Sequence, residues 1–194
     1  MYVVKRPGEM GVTQAIARCL AGDKAAYEEI VSAHADRLVC VLSKLVGNIE
    51  DARDIAQETF VRAYLYLDKY DFRRPFEPWL YRIARNLAYN HLKARSRRAE
   101  GSLEPDGDSR LNAMVSETKS PEDGVLAHER RSEVDKVLMK MRIEFREVLM
   151  LRYMERMEYE EISAAMSIPI GTVKTWLNRA KEQFRKLADG SDIF

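Results

Sequence analysis

One face of residues 169–186 carries side chains whose types and spacing could recognise DNA. Hydroxyl and amide groups can hydrogen bond to base edges in a major groove, and cations can bind phosphates. At 100° per residue the opposite side is an apolar stripe, so this segment is predicted to be an amphipathic helix. The alternative is a helix whose polar face only meets water. The polar face comprises Thr172, Thr175, Arg179 and Lys186, flanked by Lys174 and Asn178, and the stripe comprises Val173, Leu177, Ala180 and Phe184.

A break at Ser167-Ile168-Pro169 separates this helix from a shorter apolar segment. Proline lacks the N–H that a continuing helix would need, so one helix should end here and another begin. Two helices joined this closely predict a helix-turn-helix over about 159–178. Such turns commonly hold glycine, and a left-handed backbone at Ser167 would cost on the order of 1 kcal/mol. An ordinary helical hairpin is the alternative.

A second group of polar side chains, in residues 76–98, could hold a nucleic-acid strand. On a helical wheel Arg85, Tyr89 and Lys93 fall within ~60° of Arg82, and His91 falls on the opposite, apolar side. Cations beside an aromatic ring can bind phosphates and stack on unpaired bases. The segment therefore favours single-stranded DNA over a plain solvated face, and His91 is predicted to lie at the edge of the core.

The net charge of +1 conceals two basic islands. Residues 69–98 carry a net charge of +7 and residues 171–187 a net charge of +4, whereas residues 23–68 and 99–124 are acidic, at −4 and −5. Two separate basic islands indicate two places that could meet a polyanion. Charge alone favours the alternative, that these are solvated helix faces, so the case for a polyanion depends on the side-chain patterns.

The elements that must position these side chains are helical almost throughout the chain. Apolar spacing predicts helices over 25–46, about 50–67 and about 77–97, and again from about 125 nearly to the end. Residues 99–124 are rich in Gly, Ser, Pro and acid and cannot bury a core of their own. The sequence predicts an all-α protein of two small helical domains, 12–98 and 125–188, joined by a flexible acidic linker, 99–124.

Several function classes are disfavoured. No phosphate-binding glycine loop, nucleophile–histidine arrangement or metal-ligand spacing is present in the sequence, so we expect no enzyme, no cofactor and no metal site. No stretch approaches the ~20 apolar residues that span a bilayer, and the N-terminus has no signal-peptide core, so we expect a cytoplasmic protein without membrane insertion. Cys19 and Cys40 are predicted to be buried thiols.

Three segments in this order resemble a bacterial RNA polymerase sigma factor of the extracytoplasmic-function (ECF) type, in the sigma-70 family. EDARDIAQETFVRAY (50–64) is similar to the family's core-polymerase-binding helix, and FEPWLYRIARNLAYNHLKARSRR (76–98) to its promoter −10 segment. Residues 145–187 are similar to its −35-binding domain. The resemblance implies a sigma region 2 bundle and a sigma region 4 helix-turn-helix. It also implies core RNA polymerase, through its clamp helices and flap, and promoter DNA as partners.

The resemblance also implies roles for individual residues. In the −10 segment, residues would capture a flipped base and hold the strand, with Trp79 expected in the core. The expected polymerase contacts are Asp54, Gln57, Glu58, Phe60 and Arg62. The expected −10 contacts are Phe72, Arg73, Arg74, Phe76, Arg82, Arg85, Asn86, Tyr89, Asn90, Lys93, Arg97 and Arg98. The expected −35 contacts are Pro169, Gly171, Thr172, Lys174, Thr175, Asn178 and Arg179.

Regulation and specificity follow less directly from the sequence. An anti-sigma factor and a stress-responsive promoter set are implied by the resemblance alone. The −10 capture loop is shorter than in some relatives, and Trp176 and Asn178 stand where many relatives have aromatic or basic residues. The promoter sequence is therefore not predicted. A DNA-binding regulator that does not engage polymerase is the competing interpretation, and the 50–67 helix argues against it.

Overall fold

A computed structural model describes residues 9–100 and 125–188, and within these ranges every regular element is a helix. The predicted all-α fold is confirmed. No helix in the two ranges is both long and apolar enough to cross a bilayer. The helices are α1 (Glu9–Leu20), α2 (Ala25–Val46), α3 (Ile49–Leu65), α4 (Phe76–Glu100), α5 (Val125–Lys140), α6 (Ile143–Leu149), α7 (Tyr159–Met166) and α8 (Ile170–Ala188). A 3₁₀ turn spans Leu67–Lys69, and a π turn, Met150–Met154, extends α6.

Helices α1–α4 form the first domain around a buried aliphatic and aromatic core. Gly47 ends α2 in the left-handed conformation, at φ 77°, and its N–H donates to the Ser43 carbonyl. The Asn48 side chain then caps α3 by accepting from the N–H groups of Glu50 and Asp51. This Gly-Asn pair stops one helix and starts the next, which turns α3 back against α2.

An aromatic cluster fixes the loop that leads into α4. The Tyr70 ring lies 5.5 Å from Phe76 and 5.4 Å from Trp79, centroid to centroid. Its hydroxyl donates to the Arg74 carbonyl at 2.5 Å. Trp79 is part of this cluster and half-buried, as expected of a core residue. The loop 71–75 is therefore held at its base by large apolar groups.

Helices α5–α8 form the second domain, and the two domains pack against each other. Helix α4 lies along α7, and α2 contacts α5 and α6. The sequence left the relative arrangement of the domains open. Residues 101–124 of the predicted linker lie outside the described residues, and residues 99–100 belong to α4.

Cys19 is buried as predicted, but the prediction for Cys40 is wrong, because its side chain is exposed. Cys40 lies on α2 beside the second domain, at the edge of a groove that also includes Lys44 and Asp135. The apolar pattern of α2 suggested a buried thiol, but Cys40 remains exposed among the described residues.

Candidate nucleic-acid and polymerase interfaces

The apolar stripe of α8 is buried, whereas its polar face is open to solvent. Val173, Leu177 and Ala180 are at most 2% exposed and hold the helix on α6 and α7. The Thr175 hydroxyl donates to the Gly171 carbonyl at 2.9 Å, so its oxygen remains an acceptor toward solvent. All predicted −35 residues are exposed except the half-buried Thr172: Pro169, Gly171, Thr172, Lys174, Thr175, Asn178 and Arg179.

The turn before α8 has a left-handed residue at Ser167, with φ 56° and ψ 42°. The Ser163 hydroxyl donates to the Ile168 carbonyl at 2.6 Å, and the Ile168 N–H donates to the Ser163 carbonyl at 3.2 Å. A capping box between Glu158 and Glu161 fixes the start of α7. These bonds hold serine in the conformation for which glycine is usual, and α7, the turn and α8 form a helix-turn-helix.

Trp176, which lies between the two faces of α8, belongs to the edge of the core. Its ring meets Phe145 edge-to-face at 6.3 Å and is partly buried. The indole therefore helps to fix the tilt of α8 on α6 while its polar neighbours remain exposed.

Helix α4 is divided along its length as the helical wheel predicted. Leu80, Ala84 and Leu87 are buried, and half-buried His91 lies 3.2 Å from the Asp51 carboxylate. The exposed side is polar and cationic. It comprises Arg82, Asn86, Asn90, Lys93, Arg97 and Arg98.

Two of the predicted −10 residues on α4, Arg85 and Tyr89, contact the second domain. The Arg85 Nε lies 2.9 Å from Glu147 Oε1, and the Tyr89 hydroxyl donates to Glu147 Oε2 at 2.9 Å. The Arg85 guanidinium also stacks over the Tyr89 ring, 4.4 Å from its centroid. In this arrangement of the domains both side chains are half-buried, and the Arg85 side chain is 22% exposed.

The loop before α4 offers two exposed cationic side chains, both close to the Asp71 carboxylate, and one aromatic ring. Arg73 and Arg74 have side chains 88% and 74% exposed, and Phe72 is 38% exposed. Asp71 accepts from the Arg73 guanidinium at 2.8 Å and from its N–H, and these bonds lower the pKa of Asp71 to about 2.

Phe76, predicted to contact a flipped base, is only 3% exposed. Its ring packs against His34 and Tyr70 in the core. The side chain therefore positions the loop, and direct contact with a base would require the cluster to rearrange.

Helix α3 exposes most of the residues predicted to bind polymerase. Asp54 and Gln57 are exposed, and Glu58 and Arg62 form an exposed ion pair at 2.6 Å. Phe60 is the exception, since it is 7% exposed and lies in the core.

Sequence reasoning missed two exposed apolar residues on α3, Val61 and Leu65, which are 55% and 66% exposed. They follow Gln57 and Glu58 by three to eight positions on the same solvent-facing side. The signal available in the sequence was a surplus of apolar residues over what one buried stripe of an amphipathic helix requires.

Sequence reasoning also missed two buried acids of the second domain. Glu147 and Glu155 are 3% and 4% exposed. Burial raises the pKa of Glu147 to about 7, although Arg85 and Tyr89 partly oppose the rise. Burial also raises the pKa of Glu155, with Arg37 opposing it. In FREVL, Glu147 follows Arg146 and precedes the apolar Val148 and Leu149, and an acid in this largely apolar segment was the available signal.

Family models match both domains. Sigma-70 region 2 matches residues 30–98, and Sigma-70, region 4 matches residues 131–184. The chain is 33% identical over 181 residues to the ECF RNA polymerase sigma factor SigW of Bacillus subtilis (strain 168), covering 92% of this chain and 97% of that one. It is 34% identical to the RNA polymerase sigma-H factor of Pseudomonas aeruginosa, covering 89% and 91%.

Solved structures share the fold at lower identity. CnrH in complex with the cytosolic domain of CnrY has a TM-score of 0.70 and 22% identity, covering 94% of this chain and 99% of that one. The sigma factor RpoE in complex with the anti-sigma factor NepR from Bartonella quintana has a TM-score of 0.70 and 20% identity, covering 84% and 96%. Within residues 9–100 and 125–188 no cluster of ligating side chains could hold a metal ion. With region 2 and region 4 matched and a sigma factor aligned over nearly its whole length, this chain belongs to the ECF-type sigma-70 family, whose members are non-enzymatic factors that direct transcription initiation.

Proposed function

We propose that this chain docks on core RNA polymerase through α3, reads a −35 duplex with α8, and captures the unpaired −10 strand with the loop 71–75 and α4. The observation that supports this division is the presence of two separately exposed polar and cationic faces, one on each domain, in a chain of the sigma family.

The −35 proposal depends on the exposure of the α8 face. A helix of this size fits the major groove, and the side chains toward its N-terminal end are those that usually reach base edges in a helix-turn-helix. Lys174 and Arg179 bring positive charge, while Thr175 and Asn178 bring groups that accept or donate hydrogen bonds. Because α8 is anchored by a buried stripe, the face is held rigidly.

The −10 proposal depends on the loop and α4 together. Unpairing and flipping a base costs a few kcal/mol, which contacts elsewhere must offset. Phe72 offers an exposed ring for stacking, and Arg73 and Arg74 offer exposed charges for phosphates. The cationic side of α4 continues from this loop and would carry the strand toward the upstream duplex.

We also propose control by an anti-sigma factor and a stress-responsive promoter set. The RpoE of Bartonella quintana was solved with the anti-sigma factor NepR, and CnrH with the cytosolic domain of CnrY. A protein that copurifies with this chain qualifies as such a partner only if its addition abolishes transcription that depends on the chain.

Two measurements test the function. Purified core polymerase should bind the chain, and a Leu65→Glu variant should bind less well than a Leu20→Glu control, whose apolar side chain is exposed on α1. On a promoter template, permanganate should then detect unpaired thymines at the −10 element only when core polymerase and this chain are both present. Binding of DNA by the chain with no binding to core polymerase would overturn the sigma role and leave a plain DNA-binding regulator.

A further inference from the structure

The acidic residue of the loop before α4, Asp71, contacts both of the cationic side chains beside it. Its carboxylate accepts from Arg73 Nε at 2.8 Å and from Arg73 Nη2 at 3.0 Å. Its Oδ2 also lies 3.7 Å from Arg74 Nε. One carboxylate therefore faces both of the guanidinium groups that we assign to strand phosphates. This inference rests on the proposed function, because it concerns how that loop selects a strand.

The same carboxylate shapes the backbone of the loop. The Arg73 N–H donates to Asp71 Oδ1 at 3.1 Å, and the Arg74 N–H donates to the Asp71 carbonyl at 3.0 Å. Aspartate is favoured at the first position of such a turn, because its side chain can accept from the backbone two residues later. Phe72 lies within this turn. Asp71 therefore fixes the exposed ring and the two cations relative to one another.

The ion pair leaves Arg73 able to bind a phosphate but weakens its attraction for one. Its two side-chain bonds use one edge of the guanidinium, and among the described residues the Nη1 edge has no acceptor. Asp71 cancels one of the two positive charges in the loop, and it stays ionised at neutral pH because these bonds lower its pKa to about 2. A strand therefore meets cations that are oriented and partly neutralised.

This partial neutralisation changes what a strand must offer in order to bind. An unrestrained pair of arginines would attract the phosphates of any single strand, because phosphate contacts contain no sequence information. When Asp71 competes for the guanidinium groups, the phosphates contribute less to binding. The stacking of a base on Phe72 then contributes a larger share.

We propose that Asp71 is a specificity-determining residue of the −10 loop, which makes binding depend on a captured base by holding Arg73 and Arg74 oriented and partly neutralised. It acts through these two side chains and is a positioning residue, since the inference requires no contact of its own with DNA. Without this carboxylate the loop should bind phosphates more tightly and distinguish a strand with bases from one without them less well.

Three variants of the full chain test this role. Asp71→Asn removes the charge but keeps an oxygen that can accept from the Arg73 N–H, so the turn should persist. Asp68→Asn is the matched control, because it removes the same charge from an exposed residue of the preceding 3₁₀ turn. Asp71→Asn combined with Arg73→Ala shows whether Arg73 is responsible for the effect.

The probes are a short single-stranded DNA of mixed sequence and an abasic strand of the same length, which carries phosphates without bases. The loop is exposed in the full chain, so fluorescence anisotropy at several salt concentrations measures both affinities without a partner. The wild type should prefer the mixed strand. Asp71→Asn should bind the abasic strand several-fold more tightly, with a smaller preference for bases. Its salt dependence should steepen by about 0.7 for each arginine that gains a phosphate contact, and the double variant should lose most of this gain.

The outcomes separate this inference from the proposed function. If the wild type prefers the mixed strand and Asp71→Asn gains no more affinity for the abasic strand than Asp68→Asn, the role of Asp71 alone is refuted. An equal gain on both strands, with the preference for bases unchanged, also refutes it. If the wild type shows no preference for bases, the loop captures none, and the −10 part of the proposed function fails together with this inference.

Discussion

At the scale of single residues, exposure separates the side chains that can recognise DNA from those that position them. Arg179 and Arg185 are both exposed cations on α8. Arg179 lies in the middle of the helix on the polar face opposite the buried stripe, whereas Arg185 lies in the last turn. We therefore assign sequence reading to Arg179 and only general electrostatic attraction to Arg185.

Arg179→Ala should weaken binding to a cognate −35 duplex by about 10- to 100-fold, because a good contact to a base edge contributes about 1–3 kcal/mol of discrimination. Arg185→Ala is the control. It should weaken binding to cognate and scrambled duplexes by the same factor, and that factor should be smaller than the one for Arg179→Ala on the cognate duplex. Fluorescence anisotropy with cognate and scrambled duplexes measures both. Equal affinity for the two duplexes in wild type and Arg179→Ala alike would refute base reading.

Phe72 and Phe76 are four positions apart, yet the structure gives them different roles. Phe72→Ala should reduce −10 opening while lowering the free energy of unfolding by only about 1 kcal/mol, because the ring is partly exposed and its packing on Tyr70, 5.3 Å away, is the contact that is lost. Phe76→Ala should lower that free energy by about 3–5 kcal/mol, because the ring is buried. Denaturant unfolding and permanganate reactivity distinguish them, and equal loss of stability in both would contradict the assignment.

Glu147 should make domain closure depend on pH. Its pKa is about 7 when closed, and on exposure it should return toward about 4.5, so the closed form binds more protons. The groups facing it are Arg85 and Tyr89 on α4, with Glu144 and Arg146 on its own helix. Closure is therefore favoured at about pH 5 and weakens as pH rises through about 7.

The radius of gyration measured between pH 5 and 8 checks this dependence. It should increase with pH in the wild type, and the increase should be much smaller in Glu147→Gln, whose amide does not titrate. An increase of the same size in both proteins would show that another group is responsible.

At the scale of helices, α3 combines a charged and an apolar surface in a way that suits a protein partner. Asp54, Gln57 and Glu58 precede the exposed Val61 and Leu65 on the same side. Burying an exposed leucine in an interface contributes about 1.5–3 kcal/mol. The apolar end of α3 should therefore supply affinity, and the charged end should supply orientation.

Leu65→Glu should accordingly weaken binding to core polymerase about tenfold or more without lowering the free energy of unfolding. Leu20→Glu, at an exposed apolar position of α1, should leave the affinity unchanged. Surface plasmon resonance with immobilised core polymerase measures both. An equal loss in the two variants would point to a general effect of charge and would remove α3 from the interface.

The helices could largely be predicted from the sequence, because a 3.6-residue apolar period identifies both the element and its buried side. The period correctly divided α4 and α8, and proline placed the break before α8. The burial of Phe60 and Phe76 was not predicted, because a match to a family motif assigns a role to a position and does not show whether its side chain is buried. The sequence left open whether Ser167 adopts the left-handed conformation. In the structure it does, and the hydrogen bonds between Ser163 and Ile168 stabilise it.

At the scale of the whole molecule, the contact between the domains could not be predicted from the sequence. Tyr89 and Glu147 are separated by 58 positions, and local periodicity contains no information about such a pair. The wheel gave Arg85 the same cationic face as Arg82, but the second domain covers only one of them. The candidate site was therefore predicted as a set of residues, and its partial coverage required the structure.

Run-off transcription is the most direct test of the sigma assignment. Purified core polymerase would be incubated with a genomic promoter library, with and without this chain, and the new 5′ ends mapped. We expect new start sites preceded by shared −35 and −10 sequences, and these sites should disappear when core polymerase is combined with an Arg179→Ala, Phe72→Ala double variant. Identical start sites with and without the chain, together with no binding to core polymerase, would contradict the sigma assignment.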